Sequence, residues 1–177
     1  MVNLDIQVSP RELQRLLAAF NLTEGAVRAA ARRAVLKCAK WTQGQASRAT
    51  AKELRIAQKI VRQRLRLYSK ADPLTRKVWV GLNSVAAHRF GRVQKNASGV
   101  RVGSRQFDGA FVIQRFCGGV YRRKGRDRFP LELVRVPIDE EGGRALRQAA
   151  LAADERLMVL LRQELNYEFQ KVLGNAR

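Results

Sequence analysis

The hydrophobic period of this chain changes twice along its length. Up to Tyr68 apolar residues recur three and four positions apart; from Lys77 to Val136 they alternate; beyond Asp139 the helical spacing returns. A helix buries a stripe and a strand buries a face, so the period decides which element a segment can form. Helices, then strands, then a helix predict an α+β fold with N-terminal helices, a small antiparallel β-sheet and a long C-terminal helix. The 177 residues fit a single domain over 1–177, with a helical part at 1–70, a β part at 77–138 and a C-terminal helix at 139–174.

Local signals set the boundaries. Ser9-Pro10-Arg11-Glu12 is a helix start, with Ser at the N-cap, Pro at the first helical position and Glu closing a capping box. Leu13, Leu16, Leu17 and Phe20 follow at helical spacing, and Asn21 ends the element. Thr23-Glu24 opens a second helix whose stripe is Val27, Ala30, Ala31, Ala34, Val35 and Cys38, extended by Trp41. It is expected to run towards Arg48, weakened at Gly44. Thr50-x-x-Glu53 offers another capping box, after which Leu54, Val61, Leu65 and Tyr68 continue a helical face until Asp72-Pro73 stops it.

Val78, Val80 and Leu82 predict the first strand. Short strands at 99–102, 110–113 and 120–121 are separated by glycine turns, and Leu131 to Val136 forms the last alternation. Asp139-Glu140-Glu141 places negative charge where a helix N-terminus favours it. The helix then runs to Leu173, with Leu157, Leu161, Leu165 and Phe169 as a packing stripe and Gly174-Asn175 as its stop.

Charge limits function more than pattern does. Thirty-five Lys and Arg stand against 15 Asp and Glu, a net +20. Residues 1–30 are neutral, 31–70 carry +11, 71–128 carry +10, and 129–177 carry −1. Such a field repels copies of itself and attracts polyanions, either nucleic acid or an acidic protein face. Solubility in a small domain asks for a magnitude of only about 2 to 8.

Catalytic constellations are missing from the sequence. The single histidine, His88, has no Ser or Cys elbow and no metal spacing, and reads as a bystander. Gly99-Val-Arg-Val-Gly103 lies in a strand and turn, not in a phosphate loop. The basic middle contains only Glu53, Asp72, Asp108 and Asp127 as acids, too few for a paired-carboxylate or two-metal centre. Cys38 and Cys117 lie far apart without partners at ligand spacing, so neither a disulfide nor a zinc site is expected. No stretch reaches the roughly 18 apolar residues of a membrane span, and MVNLDIQVSPRELQ shows no secretory pattern. The expectation is a soluble protein made inside the cell, with no catalytic, cofactor-binding or metal-binding residues and no membrane partner.

Two basic clusters are the candidate contacts for a polyanion or acidic partner. Lys59, Arg62 and Arg66 fall on the expected helix, Arg62 and Arg66 on one face and Arg64 pointing away. Arg122, Arg123, Lys124, Arg126 and Arg128 crowd a hairpin or loop after Val120-Tyr121, where exposure is unavoidable. A helix-turn-helix reading of residues 50–67 lacks a turn residue, since Leu54-Arg55-Ile56-Ala57 supplies none.

Four stretches taken in order resemble the bacteriophage minor tail protein Z family: AARRAVLKCAKWTQGQASRATAKELRIAQKIVRQRLRL, KVWVGLNSVAAHRFG, GVRVGSRQFDGAFVIQRF and VYRRKGRDRFPLELVRVPI. The similarity spans residues 28–138 and is sharpest at Val78-Trp79-Val80-Gly81-Leu82, at Gly109-Ala110-Phe111, and at Arg122-Arg123-Lys124-Gly125 followed by Pro130. Where the family tends to break two helices with Gly-Ile-Pro, this chain has Arg55-Ile56-Ala57, so the helix is expected to run through. Asp108 stands where a proline is common.

The resemblance implies a non-enzymatic virion protein that completes the head-proximal end of a phage tail. It would form a homo-oligomeric ring around the DNA channel, six-fold to match a tail tube, and assist head-tail joining and DNA positioning. Its partners would be other tail and neck proteins and viral DNA; it would pass through the host cytoplasm during assembly. The rival reading is a sequence-independent nucleic-acid-binding protein using the basic middle as its platform. The aromatics argue against base stacking, because Trp79, Phe111 and Phe116 sit among alternating apolar residues expected in the core.

Overall fold

The computed structural model describes residues 2–20 and 22–175. Helix α1 (Pro10–Phe20) starts as expected. Ser9 Oγ accepts the Glu12 N–H at 3.2 Å and Glu12 Oε2 accepts the Ser9 N–H at 2.9 Å, a reciprocal capping box. The expected stop at Asn21 lies outside the described residues. Ahead of α1 runs a strand, β1 (Val2–Gln7), which the helical expectation for residues 1–70 does not contain.

Helix α2 (Glu24–Leu54) is capped by Thr23, whose Oγ1 accepts the Ala26 N–H at 3.4 Å. It passes Gly44 and Arg48 without interruption. Thr50 starts no new helix: it is buried within α2, and its hydroxyl donates to the Ala46 carbonyl at 2.8 Å. Nor does α2 run through to Tyr68. Arg55 adopts the left-handed conformation at φ 54°, and the Ile56 N–H closes on the Ala51 carbonyl at 3.0 Å. That is a Schellman ending made without glycine. Ile56 packs against both hydrophobic cores, which offsets the strain at Arg55.

A short helix, α3 (Gln58–Arg62), follows, and then a strand, β2 (Leu65–Ser69), in place of the expected helical face. Its alternation buries Leu65 and half-buries Leu67 while exposing Arg66 and Tyr68. The strand pairs antiparallel with β3 (Thr75–Val80), Leu65 opposite Val80, and β1 pairs with the other edge, Leu4 opposite Val78. Asp72 holds the intervening turn, accepting the Leu74 N–H at 3.0 Å and the Thr75 hydroxyl at 2.7 Å.

The β part is not one sheet. Beyond the β1-β3-β2 sheet lie three more: β4 (Val85–Ala86) with β11 (Arg135–Val136); β5 (Val93–Asn96), β6 (Gly99–Val102) and β7 (Arg105–Asp108); and β8 (Ala110–Ile113), β9 (Gly119–Arg123) and β10 (Leu131–Leu133). The first expected strand stops at Val80, leaving Leu82 outside it. The last expected strand divides, because Leu131 to Leu133 pair with β9 whereas Arg135 and Val136 pair with β4. Gly99, at φ 154°, has no room for a side chain: an added Cβ would strike the Phe107 carbonyl oxygen.

Two cores result. The first is the small-residue face of α2, with Val27, Ala30, Ala31, Ala34, Val35, Cys38 and Ala39 fully buried beneath β1–β3 and the C-terminal helices. The second joins Leu54, Val85, Phe90, Val100, Val102, Val120, Val136 and Ile138. The expected aromatic core is only partly formed. Trp41, Trp79 and Phe111 are half-buried, and Phe116 is 54% exposed on a 3-10 turn, its ring 5.8 Å from that of Tyr121.

The C-terminal helix is interrupted once, at Ala152, giving α4 (Asp139–Leu151) and α5 (Ala153–Asn175). No Gly or Pro forces the break. Both helices pack chiefly on α2 and little on each other, a path one straight rod could not follow. Gly142 in α4 leaves room for Leu82, which follows β3, since an added Cβ would meet Leu82 Cδ2 at 2.6 Å. Leu157, Leu161 and Leu165 are buried, as expected of the packing stripe, but Phe169 is 41% exposed and lies beyond the covered part of α5.

Candidate polyanion interface

The structure distributes the predicted basic residues over two regions. Lys59 and Arg62 project from α3, exposed. Arg66 is exposed too, but it sits on β2 opposite Trp79, so it shares no helix face with Arg62. The pairing of Leu65 and Leu67 with β3 overrides the helical spacing that the sequence suggests. The break at Arg55 does create a helix-turn-helix corner. With only five residues and a strand directly after it, α3 cannot serve as a recognition helix.

The second region has the exposure that its sequence predicts. Arg122 and Arg123 end β9, and Lys124, Arg126 and Arg128 lie in the exposed connection to β10, closed by the Lys124 N–H on the Pro130 carbonyl at 3.2 Å. The guanidinium of Arg123 lies 5.9 Å from the Phe111 ring centre, and that of Arg128 lies 5.8 Å from Phe129, itself 65% exposed. Arg122 stands opposite Glu132 in the strand register. None of the eight predicted cations takes part in an ion pair among the described residues. The two regions remain apart: α3 packs on α2 and β2, whereas β9 packs on β8 and β10.

A third gathering of cations escapes sequence reading. Arg64, expected to point away, is half-buried, and its Nη1 donates to the Asn83 carbonyl. Burial lowers its pKa, and the nearby charges of Arg89 and Arg135 add to the effect. These arginines come from three separate stretches of chain, so no local pattern could have joined them.

The cations that are neutralised lie elsewhere. Glu164 and Glu168 are 5% and 6% exposed on α5. Arg33 Nε reaches Glu164 Oε2 at 2.5 Å, Arg33 Nη2 reaches Glu168 Oε1 at 2.6 Å, and Lys37 Nζ reaches Glu164 Oε1 at 2.5 Å. Burial by itself would raise the Glu164 pKa, but the hydrogen bonds from Arg33 and Lys37 outweigh it and hold the carboxyl below its usual value. This network clamps α5 to α2 and consumes two of the chain's cations.

His88 is half-buried with Nδ1 unpartnered, and burial, followed by the charge of Arg89, lowers its pKa. It lines an open hollow of about 290 Å³ with the exposed Cys117. Cys38 is buried, and its thiol donates to the Ala153 carbonyl at 3.3 Å. Among the described residues no group of three or more His, Cys, Asp or Glu side chains could hold a metal ion, and no helix is long and apolar enough to cross a membrane.

No curated protein and no solved structure matches the chain. The model of the prophage minor tail protein Z family matches residues 18–175, from the end of α1 to the end of α5, and so takes in the second core, most of the first, both basic regions and the α2–α5 clamp. The chain therefore belongs to the prophage minor tail protein Z family, structural proteins of the phage tail.

Proposed function

We propose that this tail protein acts at the head-proximal end of the tail as a closed homo-oligomeric ring, six-fold, lining the DNA channel where head and tail join. Its activity is binding, not turnover: it completes the tail, meets neighbouring tail and neck proteins, and positions the DNA end. It is made in the host cytoplasm and resides in the virion neck. The chain acts as one domain, a reading supported by Ile56, which packs against both cores.

The observation that carries the reading is the unneutralised charge. Lys59, Arg62, Arg66, Arg122, Arg123, Lys124, Arg126 and Arg128 are exposed and unpaired among the described residues, on a chain of net +20. Copies so charged repel one another until a polyanion or a partner neutralises them, which suits a ring closed around DNA. An apolar edge at the end of α5, with Phe169, Val172 and Leu173 each at least 41% exposed, supports packing against a neighbouring subunit.

Two measurements test this. A symmetry-resolved reconstruction of the neck should place six copies in one closed ring; one or two copies per particle would overturn it. The isolated protein should bind duplex DNA without sequence preference, the slope of log K against log salt steepening by about 0.9 per phosphate contact. Replacing Arg122, Arg123 and Lys124 with Ala should weaken binding evenly across sequences and flatten that slope.

A further inference from the structure

The left-handed turn at Arg55 folds α3 back along α2. On a continuous helix Arg48 and Arg62 would stand about 21 Å apart. Here both line one cleft of about 440 Å³ at the α2–α3 corner, together with Lys40. Lys40, Gly44 and Arg48 follow at four-residue spacing, so they share one side of α2. Gly44 leaves the space between the two cations open, since a Cβ placed there would meet no atom within 4 Å.

The cleft is fixed from within. Gln58 Nε2 donates to Ser47 Oγ at 2.9 Å, fastening the start of α3 to α2, and Ser47 Oγ donates to the Gly44 carbonyl at 2.9 Å. Gln43 Nε2 donates to the Leu65 carbonyl at 2.9 Å, fastening β2 to the same helix. The walls are thus held by bonds that need no ligand. No acidic residue lines the cleft, and none of its three cations joins an ion pair among the described residues. Like charges around one concave surface focus a positive potential that an anion relieves.

We infer that this cleft is a phosphate-gripping site for a nucleic-acid backbone, with Lys40, Arg48 and Arg62 as its charged contacts. The inference rests on the DNA-channel reading and deepens it. The lining separates nucleic acid from an acidic protein. Protein interfaces centre on apolar and aromatic anchors, and no apolar side chain lines this cleft. Nucleic-acid interfaces are polar and positive, and their backbone contacts carry no sequence information. Only Arg62 belongs to the basic clusters evident in sequence. Lys40 and Arg48 join it through the fold.

The test is anisotropy of a labelled mixed-sequence 20-base-pair duplex, titrated with full-length protein over a range of salt. Four forms are compared: wild type; a triple Lys40→Ala, Arg48→Ala, Arg62→Ala variant; Gly44→Glu, which brings a carboxylate to the cleft from a position where a Cβ meets no atom within 4 Å; and a control, Arg11→Ala, Arg15→Ala, Lys171→Ala. The control removes the same charge from exposed positions on α1 and α5. The wild-type slope should fall by about 2.7 in the cleft triple, at about 0.9 per phosphate released. Gly44→Glu should flatten the slope as well, while the control stays near wild type. A steep wild-type slope that neither cleft variant alters, or that the control alters equally, overturns the site and leaves the DNA reading standing. A wild-type affinity independent of salt overturns both. If polyglutamate binding is lost in the cleft triple while DNA binding is kept, the cleft belongs to an acidic protein and the inference fails.

Discussion

Removing Arg33 should loosen α5 from α2 in a way that depends on pH. Arg33→Met keeps most of the side chain's apolar bulk but deletes two charge-assisted hydrogen bonds, at 2.5 Å to Glu164 and 2.6 Å to Glu168. Hydrogen bonds to charged groups contribute about 1.5 to 3 kcal/mol each, and removing one partner of a fully buried ion pair costs about 3 to 5 kcal/mol. The Arg33 side chain is 37% exposed, so water enters once it is gone, and Lys37 still reaches Glu164. A loss of about 2 to 3 kcal/mol at pH 7 follows after that discount. Lys37→Met removes one bond from a side chain that is 59% exposed, and should cost about 1 kcal/mol or less. The pH sign comes from Glu164, whose folded pKa lies below its ordinary value. A depressed carboxyl stabilises the fold above its unfolded pKa, about 4.3, and that contribution fades as pH falls through the folded value. Urea unfolding of wild type and both variants at pH 7 and pH 3 checks the reasoning. The Arg33→Met penalty should shrink at pH 3, below the unfolded value, because there the unfolded chain takes up a proton that the paired Glu164 resists, and wild type loses more stability than the variant. Equal penalties at the two pH values, or a Lys37→Met loss as large as that of Arg33→Met, would refute it.

Leu165→Ala should cost about 3 to 4 kcal/mol, because Leu165 is fully buried in the core built on the Ala and Val face of α2, and short side chains cannot collapse into the gap; denaturant unfolding measures it, and DNA affinity of the folded fraction should not change. Arg55→Gly should stabilise the chain by about 0.5 to 1 kcal/mol, relieving the left-handed strain at φ 54° by more than the entropy glycine adds to the unfolded chain; a fall in the unfolding midpoint would contradict that account. Gly99→Ala should destabilise the β5–β7 sheet by about 2 kcal/mol or more, since φ 154° and the Phe107 carbonyl both exclude a Cβ, and hydrogen exchange should show faster opening there.

Elements whose period and caps agree are legible in this sequence. The Ser9–Glu12 box, the Thr23 cap, the alternation through Val78 and Val80 and the buried stripe through Leu157, Leu161 and Leu165 are all visible in it. The turn at Arg55 and the strand at 65–69 depart from the helical pattern because the deciding interactions are distant. Arg55 can turn the chain because Ile56 finds two cores, and Leu65 to Ser69 become a strand because β3 offers a free edge. Neither fact has a local signature. The same holds for Ala152, where a chain of good helix formers bends only because α2 is there to be followed.

Charge is legible in amount and illegible in arrangement. The excess of +20 could be counted, and its confinement to the middle of the chain could be mapped. What a phosphate meets depends on which cations are already spent and which share a concavity. Arg33 and Lys37 look no different in sequence from Lys40 and Arg48, yet two buried glutamates on α5 occupy the first pair, while the second pair opens onto a cleft that Arg62 completes. Glu164 and Glu168 lie about 130 residues from the cations they neutralise. On a structural protein of the phage tail, the surface left for partners is what remains after such internal pairing. The residue that shapes it most here is Arg55, an exposed side chain whose backbone turn sets Arg62 against α2.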